Sequence, residues 1–142
     1  MSEHGVPIGE IARLSGVKAP TIRYYEDIGL LPAPPRSQGN RRLYGTVDLR
    51  RLEFIRHARE LGFAVDAIRA LLTLQDRPEQ SCTVADAIAR VRLTEVERRI
   101  ASLTALKSEL EHMIAQCSQG KVAECRVIET LADRAHTYGR LA

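Results

Sequence analysis

The sequence has no tryptophan, two methionines and few aromatic residues, so its core must consist mainly of Leu, Ile, Val and Ala. Hydrophobic residues still make up 44% of the 142 residues, which argues against disorder of the whole chain. No apolar run approaches the roughly 18 residues that a membrane span requires. The polar, acidic N-terminus is unlike a secretory or transit peptide. We therefore expect a cytoplasmic protein of one or two small domains without a membrane partner.

The sequence also lacks the arrangements on which enzymes depend. It shows no nucleophile–base arrangement, no phosphate-cradling glycine loop and no paired carboxylates on a shared face. We therefore do not expect an enzyme.

Cysteine is scarce as well, because Cys82, Cys117 and Cys125 are the only three thiols. A cytoplasmic chain keeps its thiols reduced, so they do not form a disulfide framework. They are inert core residues, reactive thiols or metal ligands. Their placement is informative, since one precedes a long predicted helix and two follow it.

Positive charge is concentrated in one segment. The formal net charge is only +3, whereas residues 36–59 carry seven arginines against two acidic residues, a local charge of +5. Such asymmetry indicates a module that binds a polyanion. A solvated, arginine-rich helix face is the alternative that charge alone leaves open.

Two short helices are predicted near the N-terminus. Residues 8–15, IGEIARLS, carry apolar residues at helical spacing, and Gly16 ends the pattern. Pro20 opens the next segment as a first-turn proline should. Two short helices joined by a turn that contains glycine form a helix-turn-helix. Near the start of the second helix lie the side chains expected in the DNA major groove, namely Lys18, Thr21, Arg23 and Tyr24.

A hairpin wing is predicted next. Three prolines at positions 32, 34 and 35 exclude a helix, and residues 38–40, Gln-Gly-Asn, are a turn signal. Residues 41–44, RRLY, can extend, with Tyr44 at the foot of the wing. Near the tip we place three arginines that can reach phosphates or the minor groove, Arg36, Arg41 and Arg42.

The remainder of the chain is predicted to be mainly helical. One helix begins near Thr46, its predicted N-cap, and ends at Gly62, and a second short helix follows. From Cys82 or Thr83 to about Gln116 the chain contains no Gly and no Pro. Apolar residues there repeat at alternating spacings of three and four, and nothing else in the chain can bury this seam. We expect the helix, about 50 Å long, to pair with its copy as a coiled coil.

These segments resemble the MerR family of transcriptional regulators over about residues 6–131. The resemblance lies in IGEIARLSGV, TIRYYEDIGLL, RSQGNRRLY and the pattern through FIRHARELGF. Arg41 departs from it, because many relatives have an aromatic residue before the RLY. This arginine either adds a phosphate contact or costs some packing of the wing. The resemblance makes Tyr24 and Tyr44 phosphate or groove contacts and Tyr25 a structural residue, and the expected DNA-binding set is Lys18, Thr21, Arg23, Tyr24, Arg36, Asn40, Arg41, Arg42 and Tyr44.

The fold that the resemblance implies is mainly α. It comprises a winged helix-turn-helix DNA-binding domain with linker helices at 1–74, a linker at 75–83, a long antiparallel coiled-coil dimerisation helix at 84–116, and a metal-binding loop, short helix and tail at 117–142. A homodimer is then expected on double-stranded promoter DNA whose −35 and −10 elements lie too far apart. Without effector it represses, and with effector it distorts the same DNA so that RNA polymerase can open it.

The resemblance also offers a role for the thiols. In an antiparallel pair, the start of one long helix lies beside the end of the other, so Cys82 approaches Cys117 and Cys125 of the partner subunit. Metal sensors of the family use this triad of positions. Thiolates are soft ligands that select mercury, lead, cadmium, zinc or monovalent copper over hard ions.

The third thiol favours a divalent effector (Hg2+, Pb2+, Cd2+ or Zn2+). Three thiolates leave a net charge of −1 on a divalent ion but −2 on Cu(I), which is costly in a partly buried site. Sensors of copper or silver tend to carry a serine at the position of Cys82. Zinc sensors carry an extra cysteine where this chain has Gln116, and zinc prefers four ligands. His136 or water is the candidate fourth donor, and the ion stays open.

Two alternatives remain at this point. A sensor of Cu(I) or Ag(I) would use Cys117 and Cys125 only. A family member with a non-metal effector would keep the thiols as small hydrophobes. Against the latter, drug sensors of the family usually carry a large C-terminal domain, whereas only about 25 residues follow the long helix here.

Overall fold

The computed structural model describes residues 5–117 and 120–133, which form a mainly α fold. The helices are α1 (Ile8–Ser15), α2 (Ala19–Asp27), α3 (Thr46–Glu60), α4 (Val65–Gln75), α5 (Thr83–Ala115) and α6 (Arg126–Ala132), with a 3-10 turn at Val122–Glu124. In the described ranges, extended pairing is confined to two isolated antiparallel bridges, Val6 with Tyr44 and Arg36 with Arg42. The predicted fold class is confirmed. The chain divides into two compact units between Ile88 and Ala89.

Local signals set the ends of the first two helices. Gly16 takes a φ of 76° and its N–H donates to the Ala12 carbonyl at 3.0 Å, which caps α1. Pro20 lies in the first turn of α2, where its missing N–H costs no helical hydrogen bond. The predicted pair of short helices therefore forms where the sequence indicated.

One hydrophobic core joins α1 to α4. Its members lie far apart in sequence and are almost all aliphatic, as the scarcity of aromatic residues requires. They include Ile11, Ile22, Leu52, Ile55 and Ile68, none of which is exposed to solvent. In the described residues, every buried side-chain nitrogen and oxygen has a hydrogen-bond partner. The core therefore holds the helix-turn-helix against α3 and α4 without an unsatisfied polar side-chain atom in the described residues.

The start of α3 differs from the sequence prediction by one residue. The N-cap is Gly45, and Thr46 is the first helical residue rather than the cap. The side chain of Asp48 accepts a hydrogen bond from the Gly45 N–H at 2.8 Å. The Asp48 carboxylate in the first turn thus contributes to capping, which the sequence prediction assigned to the Thr46 hydroxyl group.

Helix α5 has a different character, because its apolar side chains stay largely uncovered. It runs for 33 residues, close to the predicted bounds, and Met113 is its one buried residue. Large apolar side chains that remain exposed along it are Val84, Val91, Leu93, Ile100, Leu103, Leu110 and Ile114. No helix in the described part of the chain is long and apolar enough to cross a membrane.

Candidate DNA-binding surface and thiol site

Helix α2 presents a polar face to solvent while its other face is anchored. Ile22 and Tyr25 are buried in the core, so the structural role predicted for Tyr25 fits its position. Lys18 and Arg23 are exposed, as is Tyr24, which has 51% of its surface accessible. The buried anchors fix the orientation of the α2 backbone, so that its polar face stays turned to solvent, as in a recognition helix.

The wing is a tight loop closed by the bridge between Arg36 and Arg42. The Ser37 N–H donates to the Arg41 carbonyl at 2.7 Å, and the Asn40 N–H donates to the Ser37 carbonyl at 2.9 Å. Asn40 has a φ of 63°, a left-handed conformation that asparagine tolerates better than most residues. Arg36 Nη1 also donates to the Asn40 carbonyl at 3.1 Å, which braces the tip from within.

An open cavity of about 480 Å³ lies between α2 and the wing. Its lining includes Arg23 from α2 together with Arg36, Arg41 and Arg42 from the wing. Four arginine side chains around one concave surface favour an anion such as a DNA phosphate, although Arg42 also lies 3.5 Å from Glu26 Oε2 and Arg36 donates to the Asn40 carbonyl. The structure therefore brings together arginines that the sequence assigned separately to helix and wing.

Tyr44 does not join this surface, which corrects the sequence prediction of a phosphate or groove contact. It is wholly buried, and its hydroxyl donates to Glu26 Oε1 at 2.5 Å. Burial first, and then the neighbouring Glu26 carboxylate, raise the pKa of Tyr44. Arg42 Nη1 lies 3.5 Å from the other Glu26 oxygen. Tyr44 and Glu26 therefore tie the foot of the wing to α2.

Glu26 is a positioning residue that the sequence prediction missed. Its side chain is 5% exposed and contacts both Tyr44 and Arg42. The sequence did offer one signal of this role, because Glu26 is a carboxylate within an otherwise basic and aromatic stretch. Since carboxylates are seldom buried without partners, such a residue predicts a nearby donor, although not which one.

The arginines of α3 divide between surface and structure. Arg51 Nε donates to the Leu30 carbonyl at 2.8 Å, and Arg56 Nε donates to the Ser15 carbonyl at 3.0 Å. Arg59 Nη1 donates to the Phe63 carbonyl at 2.7 Å. These guanidinium groups satisfy carbonyls near helix ends, where cations are favoured. Part of the local positive charge therefore has a structural role within the protein.

The structure brings Cys117 and Cys125 together in the C-terminal unit. Cys117 follows α5 and Cys125 is the N-cap residue of α6, and their sulfur atoms lie 3.9 Å apart. Both thiols are unoxidised and half-buried. The pKa of Cys125 is lowered, chiefly by a hydrogen bond from the backbone N–H of Ile128. The Val127 N–H and the Cys117 thiol also lower this pKa, whereas burial raises it. A thiol with a lowered pKa supplies the thiolate that soft metals bind.

Two sulfurs at this distance can hold one ion, since two metal–sulfur bonds of about 2.3 Å span at most about 4.6 Å. Among residues 5–117 and 120–133, no cluster of three or more His, Cys, Asp or Glu is placed to bind a metal. A single chain thus offers a thiol pair in the described residues. His136, the suggested fourth donor, lies outside them.

Cys82 belongs to the other compact unit. It is exposed and precedes α5, and its carbonyl accepts the Asp86 N–H at 2.9 Å. It lines a largely apolar cavity together with Phe54, Leu71 and Leu74. Its side chain is therefore accessible to solvent.

Two family models match the chain, one described as MerR HTH family regulatory protein over residues 6–75 and one as MerR, DNA binding, over residues 49–113. The HTH-type transcriptional regulator HmrR of Rhizobium leguminosarum bv. viciae is 42% identical over 129 residues, which cover 90% of this chain and 98% of HmrR.

Solved structures point the same way. That of the transcription regulator PbrR691 from Ralstonia metallidurans CH34 in complex with lead(II) has a TM-score of 0.77 and 39% identity, and the match covers 89% of this chain and 99% of that one. That of MerR from Bacillus megaterium MB1 with mercury(II) has a TM-score of 0.69 and 32% identity, over 90% and 100% of the two chains. The chain therefore belongs to the MerR family of helix-turn-helix transcriptional regulators, which are not enzymes.

Proposed function

We propose that the chain is a metal-responsive regulator that binds double-stranded promoter DNA as a homodimer. The observation that carries this proposal is the pair of half-buried thiols, with sulfur atoms 3.9 Å apart and the pKa of one lowered. Two relatives of known structure hold lead(II) and mercury(II), ions that favour sulfur ligands.

The DNA-binding role rests on the basic surface between α2 and the wing. The four arginines around its cavity provide phosphate contacts, and the exposed side chains at the start of α2 reach base edges. Burial removes Tyr44 from the contacting set. The proposed contacts are Lys18, Thr21, Arg23, Tyr24, Arg36, Asn40, Arg41 and Arg42.

The dimer is supported by α5. A helix of 33 residues with one buried side chain and a row of exposed Val, Ile and Leu is not a stable arrangement in water. A second copy, packed antiparallel, covers this row. It also brings Cys82, exposed at the start of α5, to Cys117 and Cys125 of the partner subunit.

When bound, a soft divalent ion would cross-link thiolates of the two subunits. Three thiolates suit Hg2+, Pb2+, Cd2+ or Zn2+, and His136 or water would supply the fourth ligand for the ions that need one. Cys117 and Cys125 of one subunit would bind the ion, and Cys82 of the other subunit would supply the third thiolate. Metal binding is thereby coupled to the relative placement of the DNA-binding surfaces.

Regulation then follows from this coupling. The metal-free dimer holds a promoter with over-spaced elements in a form that RNA polymerase cannot open. The metal-bound dimer bends and untwists the same DNA and so activates transcription. The free energy that drives the distortion of the DNA comes from the difference in the ion's affinity for the two protein conformations.

A second candidate is a sensor of Cu(I) or Ag(I) that uses Cys117 and Cys125 only. The observation in its favour is that these two thiols are already paired within one chain. Under this alternative Cys82 contributes no ligand.

A competition titration of the reduced protein decides between the two. Hg(II), Pb(II), Cd(II), Zn(II) and Cu(I) are added while the thiolate-to-metal absorption is followed, with Cys82→Ser and Cys125→Ser as variants. We expect a divalent ion to bind twice per dimer through three sulfurs, and each variant to lose it. Tight Cu(I) binding that Cys82→Ser does not change would establish the alternative, and absence of tight binding would refute a metal effector.

A further inference from the structure

The turn that follows the recognition helix, residues 28–31, is held from three sides. Its N–H groups bond back to α2, as in the Leu30 N–H to the Tyr25 carbonyl at 2.9 Å. Leu30 and Leu31 are buried in the core. The carbonyls of Ile28 and Leu30 instead accept hydrogen bonds from arginines on α4 and α3. The end of α2 is therefore fixed by side chains of the two linker helices.

Arg69 makes the direct link between α4 and this turn. Its Nη2 donates to the Ile28 carbonyl at 2.7 Å. The approach is close, because a Cβ added at Gly29 would lie 3.3 Å from Arg69 Nη1. Gly29 also has a φ of 79°, which a side chain would strain. The turn has thus both the conformation and the space that this guanidinium group needs.

Arg51 makes the second link, through two different atoms. Its Nε donates to the Leu30 carbonyl at 2.8 Å, and its Nη1 lies 3.6 Å from Asp76 Oδ2. Asp76 is the C-cap residue of α4. Its side chain is 63% exposed, so this ion pair is weak and the carbonyl bond is the stronger contact. Arg51 nevertheless touches both the recognition-helix turn and the end of α4.

The chain continues from Asp76 to Cys82 in six residues, so α4 leads directly to a proposed metal ligand. We propose that Arg51 and Arg69 are positioning residues, which transmit a displacement of the α4–Cys82 segment to the recognition helix. This inference rests on the proposed function. Guanidinium groups suit the task because their planar fork fixes the direction of each hydrogen bond.

A purely structural role makes a different prediction. Ile68 and Leu72 of α4 lie in the same core as Leu30 and Leu31 of the turn, so apolar packing also connects the two segments. If the arginines only stabilised the fold, their loss would weaken DNA binding equally with and without metal. If they transmit the signal, their loss changes chiefly the difference between the two states.

The test compares wild type, Arg51→Met and Arg69→Met in the full-length dimer. The operator is the duplex that the wild-type protein protects in a footprint, labelled with 2-aminopurine at its centre. The ion is the tightest binder of the five in the titration described above. We expect each variant to bind the ion and the metal-free operator within about threefold of wild type. The metal-induced change in fluorescence should fall at least about fivefold, the lower end of typical allosteric coupling factors.

Arg59→Met is the matched control. Arg59 also donates to a carbonyl, that of Phe63, and this bond lies in the α3–α4 turn rather than at residues 28–31, although the side chain lines a cavity with Lys18 and Thr21. Its metal-induced fluorescence change should equal that of wild type. Arg69→Lys keeps the positive charge and a hydrogen-bond donor group, so it should restore part of the fluorescence change that Arg69→Met loses. It replaces Arg69→Met in the comparison if Arg69→Met does not fold.

The outcomes separate two failures. A wild-type dimer whose operator fluorescence does not respond to any bound ion would refute the proposed function, and with it this inference. A wild-type response that persists undiminished in both arginine variants would refute the inference alone. An equal loss in Arg59→Met would also overturn it, since the effect would then belong to any carbonyl-binding arginine of the linker.

Discussion

The two compact units of the chain bury their apolar side chains in different ways. In the N-terminal unit twelve residues form one core, and Leu52 and Ile55 have no exposed surface. In the C-terminal unit Ile100 is 57% exposed and Ile114 is 67% exposed. The first unit therefore closes its own core, whereas the second leaves large apolar side chains exposed, which supports the proposed dimer.

Core truncation in the N-terminal unit should have the largest effect on stability. Leu52→Ala leaves a cavity in a fully buried site and should lower the free energy of unfolding by about 2–5 kcal/mol. Urea unfolding followed by circular dichroism measures this. A loss below about 1 kcal/mol would show that the core does not carry the stability of this unit.

A charge on the apolar row of α5 should act on assembly instead. Ile100→Asp should raise the dimer dissociation constant at least about tenfold, which corresponds to about 1.4 kcal/mol, because an aspartate would be buried between two chains. Sedimentation equilibrium at several concentrations gives the constant. Ala105→Asp, also exposed but on the side of α5 opposite Ile100, Leu103 and Leu110, is the control and should leave it unchanged. Equal dissociation of both variants would argue against this row as the interface.

Within the N-terminal unit, Tyr44 and Arg41 should differ in how they affect DNA binding. Arg41→Ala should reduce the slope of log affinity against log salt by about 1, because a phosphate contact is lost. Tyr44→Phe should leave that slope unchanged and lower stability by about 1–3 kcal/mol, because the buried Glu26 loses a donor. Binding titrations at several salt concentrations separate the two. A reduced slope in Tyr44→Phe would restore Tyr44 to the DNA-contacting set.

In the C-terminal unit, the smallest effect concerns the pH dependence of Cys125. Its pKa is lowered in the folded chain, so the thiolate stabilises the fold at pH above the unfolded pKa. This contribution is lost as the pH falls through the folded pKa. Alkylation of Cys125 by iodoacetamide in a Cys82→Ser, Cys117→Ser background should therefore have its midpoint below the ordinary thiol range.

Ile128→Pro tests the cause of that shift. Proline removes the backbone N–H that chiefly lowers the pKa of Cys125, and it is tolerated in the first turn of a helix such as α6. The alkylation midpoint should rise towards the ordinary range. An unchanged midpoint would mean that the backbone of α6 does not stabilise the thiolate.

Much of the fold could be predicted because its signals are local. Gly16 and Pro20 mark the helix-turn-helix through their own backbone preferences, and the run without Gly or Pro predicts α5 to within a residue of its observed bounds. The cap of α3 was missed by one position, because Asp48 reaches back to Gly45 and replaces the expected hydroxyl. A cap depends on which side chain reaches the first N–H groups, and the pattern does not decide this.

The candidate site could be predicted only in part. Composition identified the basic segment and the three thiols, and the family resemblance suggested a role for each. The charge count did not separate Arg36 and Arg41, on the cavity, from Arg51 and Arg56, which hold carbonyls of Leu30 and Ser15. All four residues look alike in sequence, because their difference lies in partners that are distant along the chain.

The sequence by itself determined the helices, the basic segment at residues 36–59, the apolar row of α5 and the family. Each of these depends on neighbouring residues or on a motif that can be read in order. Only the tertiary structure decided that Tyr44 is buried against Glu26, 18 residues away, and that Arg56 reaches Ser15, 41 residues away. It also decided that Cys117 and Cys125 lie within reach of one ion. These contacts depend on how the core orients separate helices and how a loop closes, and neither is encoded in the spacing of residues along the chain.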